Sequence, residues 1–179
     1  MPKKYMDIDI SNGSLSNRNL FLFEEVGERA IKNLIEKMLI LDDVNNKPIN
    51  LYINSSGGGN SDGYALIDAM SNLTSKVNTY IVGYACSMAG IISIYGDKRY
   101  MSKHGVWMGH PGSGGVNGED YDYMIKARIK MLDIYCDMVT KSLTNHTKLT
   151  KEDIALVNKS ELWLNAEQAL KKGIIDKII

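Results

Sequence analysis

The sequence predicts an α/β protein with a largely parallel core. Two observations carry that expectation. Short strand-like stretches, such as INLYIN at 49–54 with Ile49, Leu51 and Ile53 alternating, take turns with longer stretches whose apolar residues recur at helical spacing. Such alternation belongs to βαβ units rather than to all-α or all-β chains. Finally, 179 residues with 44% hydrophobic content can bury a sizeable core, and no repeat, linker or low-complexity tract divides them, so one domain over 1–179 is expected.

Each element follows in order. NLFLF at 19–23 reads as a short strand. From Val26 a helix is expected, with Ile31, Leu34, Ile35, Met38 and Leu39 at helical spacing, ending near Leu41 because DDVNNKP is turn chemistry. INLYIN is the next strand, and the glycine-rich SSGGGNS follows it. A helix through GYALIDAMSNL places Ala65, Leu66, Ala69, Met70 and Leu73 on one face. VNTYIVG at 77–83 is another strand, leading into YACSMAG. KRYM and GVWMG read as further strands. PGSGGVNG then breaks the chain, and the longest helix is expected from about Glu119 to Asn145. It carries Tyr121, Met124, Ile125, Ile129, Leu132, Tyr135, Val139 and Leu143. At 1.5 Å per residue it measures about 40 Å, comparable with a whole domain of this size, so part of it should project. A short helix follows Thr150, an N-cap with Asp153 at the third helical position. Another begins at Asn165 and ends by Gly173, and IIDKII closes as a strand.

Composition narrows the function. Lys+Arg and Asp+Glu both number 21, a formal net charge of 0, which argues against a nucleic-acid binder. The two cysteines, Cys86 and Cys136, make no disulfide framework. The start MPKKYMDIDISNGS has no apolar h-region, and no apolar run reaches the roughly 20 residues of a membrane helix. A cytoplasmic protein is expected. The histidines are scattered and the carboxylates unclustered, so neither metal nor cofactor is expected.

Three loops could carry chemistry. The first, Asn54 to Gly59, sits between a strand and a helix. It is no dinucleotide fingerprint, because Asp62 stands where a third glycine would be, and no P-loop, because no Gly-Lys-Ser/Thr follows. It is either a connecting turn or a set of uncovered backbone N–H groups able to hold an anion. The second contains Ser87, either a helix N-cap or a nucleophile held at the rim of the sheet, with the Met88 N–H pointing the same way. Cys86 is the rival nucleophile, though a cysteine here more often packs as a small hydrophobe. The third is WMGHPGSGG. A serine nucleophile needs a base. Of three histidines, His104 lies in a polar hairpin and His146 at the end of the long helix, which leaves His110, at a strand end before a glycine-rich loop.

Together INSSGGGNSDGYALIDAM, GYACSMAG, WMGHPGSGG and LWLNAEQALKKGIIDKI resemble the ClpP peptidase family, in the family's order and from about Asn19 to the C-terminus. They look most like the ClpP-related proteases of phage genomes. The resemblance implies a layered β-α-β repeat fold shared with crotonases, with a projecting handle helix. It implies subunits stacked as rings around a chamber in which unfolded polypeptides or peptides are cut. Ser87 matches the nucleophile, His110 the base, and Gly58 and Met88 the two N–H donors of the oxyanion hole. The acid is an aspartate in most of the family; here Glu161 holds its place, with Asp153 a weaker rival. The segment before Asn19 is short beside the family's axial loops, which leaves docking of an ATP-driven AAA+ unfoldase open. Two other readings stand beside the serine endopeptidase: a crotonase-like acyl-CoA enzyme, and a catalytically inactive ring-forming subunit.

Overall fold

The computed structural model describes residues 13–112 and 121–179. Its centre is a seven-stranded sheet whose main path runs β1-β2-β3-β4-β7. Strand β1 (Asn19–Leu22) follows the single turn of α1 (Gly13–Ser16) and pairs in parallel with β2 (Ile49–Ser55). Strand β3 (Val77–Cys86) is the pivot. Its first half pairs in parallel with β4 (Lys98–Met101), and its last residues pair in parallel with β5 (Val106–Gly109). The final strand, β7 (Lys177–Ile178), continues in parallel from β4, whereas β6 (Leu162–Asn165) runs antiparallel to β5. Strands β2, β3 and β5 therefore point the same way, and the loops leaving all three emerge on one edge of the sheet, where α/β folds place their ligands.

Alternation explains which face is covered. In β2 the residues Ile49, Leu51 and Ile53 are fully buried, while Asn50, Tyr52 and Asn54 lie on the other face, half-buried. Burying each such aliphatic side chain stabilises the fold by about 1.5–3 kcal/mol relative to exposure. The buried face is covered by α2 (Glu28–Val44), through Ile31, Leu34, Met38 and Leu41, and by α3 (Asn60–Asn72), through Leu66, Ile67 and Met70. The short α4 (Ser87–Ser93) is buried along almost its whole length. On the opposite face, Phe21, Tyr52, Tyr80 and Tyr100 stand in one register row across four strands, with successive ring centroids 5.5, 4.8 and 4.6 Å apart.

The long helix is α5 (Asp122–His146). It buries only Ser142 and Leu143, near its C-terminal end. There the Ser142 hydroxyl meets the Tyr64 and Tyr95 hydroxyls and donates to the Met138 carbonyl, tying the helix to the domain. Its first half projects: Tyr123 is 70% exposed, and Ile129, Met131 and Ile134 are exposed as well. Arg99 fixes the far end by donating to the His146 and Gly173 carbonyls while pairing with Asp176. Helix α6 (Lys151–Val157) and α7 (Ala166–Lys171) both start with a capping box, closed by Thr150 with Asp153 and by Asn165 with Gln168.

Several boundaries differ from the sequence reading. Helix α2 begins at Glu28 because Val26 forms a β-bridge with Gly58, and it runs on to Val44. Strand β3 extends three residues past Gly83, to Cys86. Strand β6 is a new element, since LWLN is too short to announce itself apart from the helix that follows. Positions 119 and 120, and most of the glycine loop before α5, lie outside the described residues. Among the described residues, no helix is long and apolar enough to cross a membrane.

Candidate active site

The strand-end logic brings the singled-out residues to one place. Gly57 and Gly58 leave β2, Ser87 leaves β3 and His110 leaves β5, all on the same edge. Ser87, Met88 and His110 line a cleft walled by Tyr135, Cys136 and Val139 of α5. The half of α5 that does not project thus closes one side of the site.

Ser87 is not a helix cap. Cys86 occupies the N-cap position, and among the described residues the Ser87 hydroxyl makes no hydrogen bond. Its backbone has φ 53°, a left-handed conformation that a non-glycine residue adopts at a cost of about 1–2 kcal/mol. A strained turn between strand and helix that lifts a serine hydroxyl to the sheet's rim is the geometry of a nucleophile elbow. The strain is held by packing. Trp107, fully buried, donates its indole N–H to the Gly90 carbonyl at 3.1 Å, and a Cβ on Gly90 would stand 2.9 Å from that nitrogen. The Met88 side chain lies against Gly63 of α3, where a Cβ would come within 2.3 Å of its Cγ.

The glycine loop is more than a connection. Gly57 has φ +96° and Gly58 φ +150°, so both positions favour glycine. The Ser55 hydroxyl accepts from the Gly57 N–H at 3.2 Å and donates to the Glu24 carbonyl at 2.6 Å. Val26 donates to the Gly57 carbonyl at 2.8 Å and accepts from the Gly59 N–H at 2.7 Å. The neighbours' polar groups are thereby used up, while the Gly58 N–H has no partner among the described residues. The Met88 N–H lies in the first turn of α4, where the helix supplies no acceptor. The turn lies against the elbow: a Cβ on Gly57 would stand 2.6 Å from the Ser87 Cβ and 2.9 Å from the Met88 nitrogen.

Cys86 is buried, and burial together with the negative charge of Glu161 pushes its thiol above the ordinary range, so it stays protonated at neutral pH. A thiol without its thiolate is a poor nucleophile. Of the other histidines, His104 is exposed in the turn after β4. His146 packs on Tyr95 with ring centroids 4.1 Å apart, and burial, reinforced by Arg99, lowers its pKa. Asp153 closes the α6 capping box and pairs with Lys172.

Glu161 stands just before β6. The β5–β6 ladder pairs Met108 with Trp163 and ends with Gly109 against Leu162, so His110 follows β5 at the end where Glu161 precedes β6. Its carboxylate accepts the Trp163 indole N–H at 2.8 Å, and among the described residues His110 has no hydrogen bond to it. Trp163 was not singled out from the sequence, where it is one aromatic in a short apolar run; the structure shows its N–H going to the carboxylate two residues back. Among the described residues no group of three His, Cys, Asp or Glu stands close enough to hold a metal.

The Clp protease family model matches residues 3–179. A protein of Dehalococcoides mccartyi named ATP-dependent Clp protease proteolytic subunit is 34% identical over 174 residues, which cover 96% of this chain and 86% of that protein. A protein of the same name from Deinococcus radiodurans is 31% identical over 176 residues, 96% of this chain and 84% of that protein. Among solved structures, a point mutant of ClpP1 from Listeria monocytogenes superposes with a TM-score of 0.82 over 92% of both chains, at 21% identity.

Proposed function

The chain belongs to the Clp protease family and is a serine-type peptidase, and we propose that Ser87 and His110, helped by Glu161, carry its reaction. The observation that carries this assignment is the strained backbone of Ser87 in a cleft shared with His110, beside two N–H groups without acceptors.

The steps follow from the groups present. His110 takes the Ser87 Oγ proton as the oxygen attacks the substrate carbonyl carbon. The carbonyl oxygen becomes an oxyanion facing the Gly58 and Met88 N–H groups, and removing one such donor typically costs roughly 10²–10³ in rate. The imidazolium then gives its proton to the leaving amine, the C–N bond breaks, and an acyl-enzyme remains. Water, deprotonated by His110, attacks the ester and restores Ser87. Glu161 accepts a proton-bearing ring nitrogen of His110 and stabilises the imidazolium. No metal or cofactor enters these steps.

The reading extends to the whole chain as one peptidase domain, acting in the cytoplasm on unfolded polypeptides or peptides inside stacked rings of its own copies. The exposed apolar residues of α5 support assembly, since monomers rarely expose such a stripe. The relatives' name makes them subunits of an ATP-dependent protease, which supports partnership with an ATP-driven unfoldase. The acyl-CoA alternative would leave Ser87 a bystander. Fluorophosphonate labelling followed by mass spectrometry separates the two: a stoichiometric adduct on Ser87, absent in Ser87→Ala, supports the peptidase assignment, and an unlabelled Ser87 in assembled protein removes it.

A further inference from the structure

We propose that Trp163 is a positioning residue of the triad: its indole N–H fixes one oxygen of Glu161 so that the other is presented to His110. The inference rests on the assignment of Glu161 proposed above and goes beyond it.

Glutamate has one more rotatable bond than aspartate, so a carboxylate at its end needs something to hold it. The local strand supplies that. Side chains two apart on a strand share a face. Leu162 and Leu164 are buried, which turns Glu161 and Trp163 together onto the opposite side of β6. There the Trp163 Nε1–H reaches the Glu161 Oε2 at 2.8 Å. Indole is a donor only, and an ionised carboxylate offers about four acceptor sites, so this bond leaves Oε1 free. The ladder brings it to the same end of the two strands as His110, because the last pair is Gly109 with Leu162, and His110 follows the one as Glu161 precedes the other. A second observation places the carboxylate toward the site: its negative charge is felt at Cys86, the residue before Ser87, where it adds to burial in raising the thiol. The Trp163 ring itself is 52% exposed, so it is not there to fill the core.

The test is a double-mutant cycle on a fluorogenic peptide, with oligomer size checked for every variant. Trp163→Phe keeps an aromatic ring and removes the donor. It should lower kcat roughly tenfold with KM unchanged, the scale of a modestly misplaced catalytic partner. In a Glu161→Ala background the same change should cost nothing more. Full activity in Trp163→Phe with an impaired Glu161→Ala overturns the inference, and so does an equal loss in both backgrounds. Full activity in Glu161→Ala is a separate outcome: it removes Glu161 from the triad, and the role of Trp163 falls with it. If Trp163→Phe does not assemble, benzothienylalanine at 163 replaces the N–H by sulfur in nearly the same shape, and the same outcomes decide.

Discussion

Gly57 and Ser87 pack so closely that a Cβ on Gly57 would stand 2.6 Å from the Ser87 Cβ and 2.9 Å from the Met88 nitrogen. The turn after β2 and the elbow after β3 are thus one object. Gly57→Ala should break it twice over, through the clash and through φ +96°, at roughly 3 kcal/mol of stability, and should push the elbow off the catalytic geometry. We expect peptidase activity and fluorophosphonate labelling both to fall at least about a hundredfold. Gly27→Ala, where a Cβ meets nothing within 4 Å, is the control.

Two replacements of Ser87 separate chemistry from strain. Ser87→Ala and Ser87→Gly should both be inactive. Glycine adopts φ 53° freely, so Ser87→Gly should be the more stable of the two by about 1 kcal/mol in denaturant titration. Cys86→Ala should keep most activity, because the buried, protonated thiol is packing. An inactive Cys86→Ala beside an active Ser87→Ala would mean that the nucleophile is misassigned.

Glu161→Gln should lower kcat by about 10²–10³, less than the roughly 10⁴ that an acid-to-amide change costs a trypsin-type triad, and Glu161→Asp should be only mildly impaired. Steady-state cleavage with oligomer size checked decides; an unchanged kcat in Glu161→Gln would leave a Ser–His dyad.

The projecting part of α5, with Tyr123 at 70% exposure and its N-cap Tyr121 at 69%, should be covered by further copies. Sedimentation should show a species many times the 20.0 kDa chain. A clean monomer at micromolar concentration would remove the chamber, and charges at Ile129 and Ile134 should drive the assembled form toward it.

Asp176 offers a pH test. Burial works to raise its pKa, but hydrogen bonds and charge from Arg99 outweigh it, and the net shift is downward from 3.8. A carboxylate with a depressed folded pKa contributes stability above its ordinary value and loses it as pH falls through the lower folded value. Asp176→Asn should therefore cost about 1 kcal/mol at pH 7, the upper end for a partly exposed pair, with the deficit fading below about pH 3.8. Urea titrations at pH 7 and pH 3 measure the difference; equal deficits at both would show that the carboxylate's charge is not what matters.

The sequence by itself determined the class of the fold and the residues that could do chemistry. Period-two runs such as INLYIN, helical spacing in α2 and α5, and glycines after strands are local signals, written within a few residues of one another. Ser87, Met88 and His110 could be singled out because strand ends and small residues mark them, whereas Gly58 and Glu161 were named only through the resemblance to a known family. What a sequence cannot carry is contact between segments far apart along the chain. Only the tertiary structure showed that Cys86 takes the N-cap position and leaves Ser87 strained at φ 53°. It alone showed that Val26 claims the polar groups on both sides of Gly58. It alone showed that β6 pairs antiparallel with β5, so that Glu161 precedes β6 at the end where His110 follows β5. Each of these depends on which strand lies beside which, and that is settled by burying one face of the whole sheet at once, a collective energy no short window of residues contains.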